Sequence, residues 1–140
     1  PDNPPILIGN EKEGQTSRLI SWNIKGDPCK DIREHNTPFY ATENRGLIEI
    51  VNPDIDFYYL LYYLRERMTS LGNFKRSDEA HVGKVKKLKV KIPVDANGAI
   101  DLNKQQTIAQ NYSDIIDLRK RVSSNVAQLH QLVTQIDVFK

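Results

Sequence analysis

The chain has 140 residues, a formal net charge of +2, 39% hydrophobic and 27% charged residues, and one cysteine. That is enough for one domain with a modest core plus an appendage; it excludes an intramolecular disulfide and any multi-cysteine metal centre, and no apolar run is long enough to cross a bilayer. The lone cysteine and the lack of a signal peptide fit a cytoplasmic location, and the opening Pro1-Asp2-Asn3-Pro4-Pro5, without an initiator Met, reads as the start of an excised fragment.

Residues 6–8 and 17–24 read as short strands, the second alternating Leu19, Ser21 and Asn23 on one side with Ile20, Trp22 and Ile24 on the other. A turn is expected over 9–14. Gly26-Asp27-Pro28 breaks the chain, and 30–36 reads as a polar loop holding Arg33 and His35. Residues 38–42 and 47–51 look like two more strands joined through Asn44-Arg45-Gly46, after which Asn52-Pro53-Asp54 stops the sheet.

The clearest helix of the globular part covers 56–70, with Asp54 or Asp56 to cap it and Gly72 to end it. Phe57, Leu60, Leu61, Leu64 and Met68 form its buried stripe, and Tyr58, Tyr59, Tyr62 and Tyr63 are read as packing residues rather than a stacking platform. A helical turn is expected over 83–88 and a strand over 89–94 with Val90 and Ile92 inward. Asn97-Gly98 marks a turn, and Asn103 with Gln106 reads as the capping pair of a last helix that runs to the C-terminus.

That last helix carries a narrow apolar seam. Ile108, Tyr112, Ile115, Val122, Val126, Leu129, Val133 and Ile136 fall alternately four and three apart, with Arg119 taking one turn of the seam. Such a seam needs a second long helix. Burying Arg119 against its own copy in a parallel pair is unfavourable, so an antiparallel homodimer is expected of the isolated chain.

The charge is unevenly placed. Between residues 65 and 91 there are nine basic and three acidic residues, a local +6 in a chain whose total is only +2. A concentration of that kind attracts polyanions, and it also keeps an exposed edge soluble. No constellation points to an enzyme. His35, His81 and His130 are far apart in sequence, and Cys29 with His35 six residues on is a weak thiol–imidazole signal. Asn3-Pro4-Pro5-Ile6 resembles the tetrapeptide with which amino-methyltransferases hold adenine, yet Ile6 replaces the stacking aromatic and no glycine-rich cofactor loop follows. No cofactor or metal is expected.

The C-terminal segment Ile92-Pro93, followed by Asp101-Leu102-Asn103-Lys104-Gln105-Gln106-Thr107-Ile108-Ala109, resembles the specificity subunits of type I restriction-modification enzymes, in which a strand ending in an Ile-Pro step leads to an Asp-Leu-x-x-Gln-x-x-Ile-Ala type helix start. Upstream, Pro38-Phe39-Tyr40-Ala41-Thr42 is similar to that family's aromatic-Ala-Thr segment and residues 56–64 to its Tyr- and Leu-rich helix, so the resemblance covers about residues 38 to 140. Residues 1–37 carry little that matches.

The resemblance implies a non-catalytic DNA reader. Residues 1–100 would be an N-terminally truncated target recognition domain and 101–140 the long conserved coiled-coil helix that acts as dimerisation and spacer arm. The elements read along the chain give an α+β architecture, a mixed sheet with one packed helix and one protruding helix. Its partners would be double-stranded DNA, methyltransferase subunits docked on the helix and using S-adenosylmethionine, and through them the restriction subunit. Residue chemistry supplies DNA-contact candidates in loops: Lys25, Lys30, Arg33, Asn44, Arg45, Lys75, Arg76 and Lys84. Lys86, Lys87, Lys89 and Lys91 suit phosphates or solvent. The rival expectations are a coiled-coil protein-interaction module without DNA binding, and an enzyme using Cys29 or a methyltransferase cofactor.

Overall fold

A computed structural model of the chain describes residues 6–8, 11–12, 15–16, 18–37 and 39–137. The fold is α+β. Its centre is a three-stranded antiparallel sheet in the order β5-β4-β7, made of Arg33–His35, Leu19–Asn23 and Arg45–Glu49. Two further antiparallel pairs join β1 (Ile6–Ile8) to β6 (Phe39–Ala41) and β2 (Glu11–Lys12) to β3 (Gln15–Thr16). The helices are α1 (Phe57–Gly72), α2 (Val82–Val85) and α3 (Leu102–Asp137). All described pairings are antiparallel, not mixed, and no helix lies between any two paired strands in the sequence, so none of the connections is the helical crossover that a parallel pair uses.

The alternation in β4 sets the two faces of the central sheet. Ile20 and Trp22 point toward α1, where they join Ile24, Cys29, Ile32, Leu61, Leu64, Met68, Phe74 and Ala80 in one buried cluster. Ser21 and Asn23 point the other way and register against Arg33 on β5 and Arg45 on β7. The stripe expected on the first helix forms, with Leu61, Leu64 and Met68 fully buried. Tyr59 joins them and Tyr58 and Tyr62 pack at the cluster's edge, as expected of packing aromatics.

Several boundaries differ from the sequence expectation. Residues 33–35 form an edge strand rather than a loop: Arg33 and Glu34 are exposed, so no hydrophobic alternation marks it, and the backbone of β4 supplies the pairing. Arg45 and Gly46 belong to β7, and the turn lies at 42–44, closed by Arg45 N–H donating to Thr42 O at 3.1 Å. Gly46 is required by close approach, since a Cβ there would lie 2.0 Å from Trp22 Cζ2.

Helix α1 starts as expected, with Asp56 Oδ1 accepting from Tyr59 N–H at 2.7 Å. It ends on Asn73, which takes the left-handed conformation at φ 49° and caps the last turn. Gly72 is still helical, and its missing side chain leaves room for the Phe74 ring. The expected strand over 89–94 does not form a ladder. Tyr59 OH donates to Lys91 O at 2.8 Å and Lys91 N–H donates to Tyr63 OH at 3.3 Å, so tyrosines of α1 hold the segment in place of a strand. The inward side of Val90 and Ile92 survives as half-burial between exposed lysines.

The Asn97-Gly98 turn forms, with Gly98 at φ +83° and a single bridge between Val94 and Ile100 beside it. Helix α3 is capped by Asp101, whose carboxylate accepts from Lys104 N–H at 2.8 Å; Asn103 and Gln106 lie inside the helix rather than capping it. Gln105 is fully buried. Its amide donates to Asp54 O at 2.9 Å and accepts from Asp56 N–H at 3.0 Å, tying the first turn of α3 to the N-terminus of α1. The chain divides into two compact units between Gln106 and Thr107, the second being the remainder of the helix. Among the described residues no helix is long and apolar enough to cross a membrane.

Candidate nucleic-acid interface

The end of β4 gathers the cationic loops. Ile24 N–H donates to Asn44 O at 2.9 Å, Lys25 N–H donates to the Asn44 side-chain oxygen at 2.9 Å, and Ala80 N–H donates to Ile24 O at 3.1 Å. Trp22 Nε1–H donates to Ala80 O at 2.8 Å from inside the core. One strand end therefore anchors the 24–32 loop, the 42–44 turn and the 75–84 segment. In the last of these, Lys75 and Asp78 close a tight turn through reciprocal backbone bonds.

The candidate contact residues divide by what they already bind. Lys25, Lys75 and Arg76 are exposed and make no ion pair among the described residues. Lys30 pairs with Asp27 at 3.2 Å and Lys84 with Asp78, both at exposed positions where such pairs break readily. Asn44 spends its side-chain oxygen on Lys25 N–H. Arg45 is turned inward, its side chain only 16% exposed. Its guanidinium donates to Ser21 Oγ from Nε at 3.1 Å and from a terminal nitrogen at 2.8 Å, and to Asp31 Oδ2 at 2.8 Å and Asp31 O at 2.9 Å. That geometry makes Arg45 a brace across the sheet rather than a free hand.

Asp31 also accepts from Arg33 Nε at 2.6 Å, and the two arginines together hold its carboxyl below the usual carboxylate range. Ser21 Oγ lies 2.7 Å from His35 Nε2. Because Arg45 already donates into that oxygen, the hydroxyl proton goes to the imidazole, which is neutral with its own proton on Nδ1. Burial and the nearby arginines push the His35 pKa down, in keeping with a neutral ring, and the ring stacks on Phe39 with centroids 3.7 Å apart.

Asp31, Ser21 and His35 are absent from the DNA-contact candidates that the sequence offers. Ser21 has a legible signal, a small polar residue on the face of β4 away from Ile20 and Trp22. Asp31 has none, since its role depends on two partners from different strands. The thiol–imidazole pairing does not form: Cys29 is buried in the core at φ +62°, its thiol pushed up to about 11 by burial, while His35 is engaged by Ser21. At neutral pH such a thiol is protonated and shielded. Among the described residues no group of three His, Cys, Asp or Glu side chains is placed to hold a metal ion. Asn3-Pro4-Pro5 lies outside the described residues.

The second unit presents a different surface. Ile108, Ile115, Val122, Val126, Leu129, Val133 and Ile136 are all exposed, with Tyr112 half-buried, so the expected seam lies along the surface of α3. The stripe also includes Leu118, 55% exposed, and Leu132, 56% exposed, which the four-then-three spacing leaves out. Counting them, Ile108, Asn111, Ile115, Leu118, Val122, Asn125, Leu129, Leu132 and Ile136 repeat at alternating three and four residues. Tyr112, Arg119, Val126 and Val133 then flank the stripe. Arg119 is at the edge, and the like-charge argument for antiparallel pairing loses its force.

Comparison with protein-family models, with curated proteins and with solved structures returned no match.

Proposed function

We propose that this chain is a sequence-reading element of a type I restriction-modification specificity subunit, binding duplex DNA without catalysing a reaction. The observation that carries the reading is the convergence of three loops on one strand end, with Lys25, Lys75 and Arg76 exposed and making no ion pair among the described residues. Cations on loops braced by a rigid sheet suit phosphate positioning. The resemblance adds the partners: methyltransferase subunits and through them the restriction subunit, in the cytoplasm, with α3 pairing antiparallel to a second long helix or a second copy. Antiparallel pairing rests on the resemblance alone.

Fluorescence anisotropy with a mixed-sequence duplex at several salt concentrations tests the DNA reading. Weak, steeply salt-dependent binding is expected, and replacing Lys25, Lys75 and Arg76 together by Glu should flatten the log–log salt slope by at least about 2.7, at ~0.9 for each phosphate no longer neutralised. Undetectable binding at low salt, or a triple variant that binds like the wild type, would defeat it. The second reading is an interaction module without DNA affinity, favoured by the exposed stripe of α3. It predicts no salt-dependent binding at all.

A further inference from the structure

Arg33 differs from the paired Lys30 and Lys84 in that its carboxylate partner is itself held by a second, inward-turned arginine. The Arg33 side chain is 64% exposed, yet its Nε is held 2.6 Å from Asp31 Oδ1, and its terminal nitrogens have no partner among the described residues. Asp31 is fixed in turn, its second oxygen 2.8 Å from a guanidinium nitrogen of Arg45, which is itself locked to Ser21. The result is a relay from the covered face of the sheet outward. It ends in an exposed guanidinium whose end-on edge, with two parallel N–H groups, is oriented before any ligand arrives.

We propose that Arg33 reads a guanine in the major groove through its terminal nitrogens and that Asp31 is its positioning residue. This rests on the DNA-binding reading above and gives it a base. Guanine O6 and N7 are a pair of acceptors matched in spacing to an arginine fork. A phosphate contact is the competing use of the same edge, and the charges argue against it. Arg33, Asp31 and Arg45 together carry only +1, so a phosphate brought to Arg33 also meets a carboxylate, whereas Lys25, Lys75 and Arg76 are exposed cations with no carboxylate partner among the described residues. A neutral base edge gains from the fixed direction and suffers little from the carboxylate. Ordering a flexible arginine in advance helps directional readout most, because the ordering entropy is then not lost on binding.

The experiment is selection of bound duplexes from a randomised pool with the full chain, followed by titrations against the selected duplex and versions with single base-pair changes. The wild type should enrich at least one guanine. Arg33→Lys, which keeps the charge and loses the fork, should reduce discrimination at that base pair about ten- to a hundredfold while leaving the salt slope unchanged. Asp31→Asn should reduce the same discrimination without weakening binding to unselected duplexes, because it removes a negative charge from the surface; a merely structural role would weaken binding to all duplexes alike. If Arg33→Lys leaves discrimination intact, or Arg33→Ala weakens all duplexes equally and lowers the salt slope by about one, Arg33 is a phosphate contact and the inference fails while DNA binding stands. If the wild type binds duplexes without preferring any guanine, it likewise fails alone. If the wild type binds no duplex at low salt, both readings fall.

Discussion

Replacing Gly46 by alanine should be among the most damaging single changes in the chain. The added methyl would lie 2.0 Å from Trp22 Cζ2 and 2.3 Å from two further ring carbons, where ordinary carbon contacts begin at about 3.5 Å. A displacement of roughly 1.5 Å is therefore needed. The ring cannot simply tilt away, because it is fully buried among Ile20, Leu61 and Met68 and its Nε1–H is committed to Ala80 O at 2.8 Å. Overpacking of this kind costs about 1–3 kcal/mol, and orphaning the indole N–H and its carbonyl adds about 1–3 more. A loss of roughly 2–6 kcal/mol follows, a large share of the roughly 5–15 kcal/mol typical of a domain. Urea unfolding followed by circular dichroism measures it, with Gly83→Ala as control because nothing lies within 4 Å of a Cβ there. A Gly46→Ala midpoint within about 1 kcal/mol of wild type, at unchanged slope, would refute the argument.

Gln105→Ala should cost about 1–2 kcal/mol in the same assay by removing a fully buried amide from Asp56 N–H and Asp54 O, both part-buried bonds; an unchanged midpoint would mean water replaces the amide freely. Acidification should destabilise the fold in a defined window. His35 has its pKa lowered from the ordinary 6.5, so above that pH both folded and unfolded chains hold it neutral, and below it the unfolded chain gains a proton the folded one resists. Stability should decline from about pH 6.5 downward, and His35→Gln, which keeps an acceptor for Ser21, should flatten that part of the profile. Asp31, lowered from 3.8, adds a second decline at more acid pH. For α3, sedimentation should show self-association of the wild type, and Leu129→Asp with Leu132→Asp should weaken it more than Val126→Asp with Val133→Asp. The reverse order would restore the seam through Arg119.

The sequence is informative wherever one chain segment determines its own environment. The stripe of α1, the two faces of β4, the Asn97-Gly98 turn and the length of α3 all follow from periodicity or from a residue's own backbone preference. It is silent where a partner decides. Residues 33–35 are polar and become a strand only because β4 offers them a backbone edge. Residues 89–94 alternate correctly, but the tyrosine hydroxyls of α1 occupy the main chain of Lys91. The interface divides in the same way: loop lysines are visible by charge and turn context, whereas the opposite fates of Arg33 and Arg45 depend on a single carboxylate, Asp31, that joins them across the sheet.

Trp22 is the chain's one tryptophan, fully buried, and it donates to Ala80 at the foot of the 75–84 segment. The molecule therefore contains its own optical probe. An indole in an apolar setting emits at shorter wavelength than one in water, so the native chain should fluoresce in the blue end of the tryptophan range. Any event that lifts Ala80 from the strand end would expose the ring and shift its emission to the red without a label having been attached. Stopped-flow fluorescence on mixing with an oligonucleotide would then time the movement of a cationic loop directly, from a chromophore that sits behind the surface and cannot itself touch the ligand.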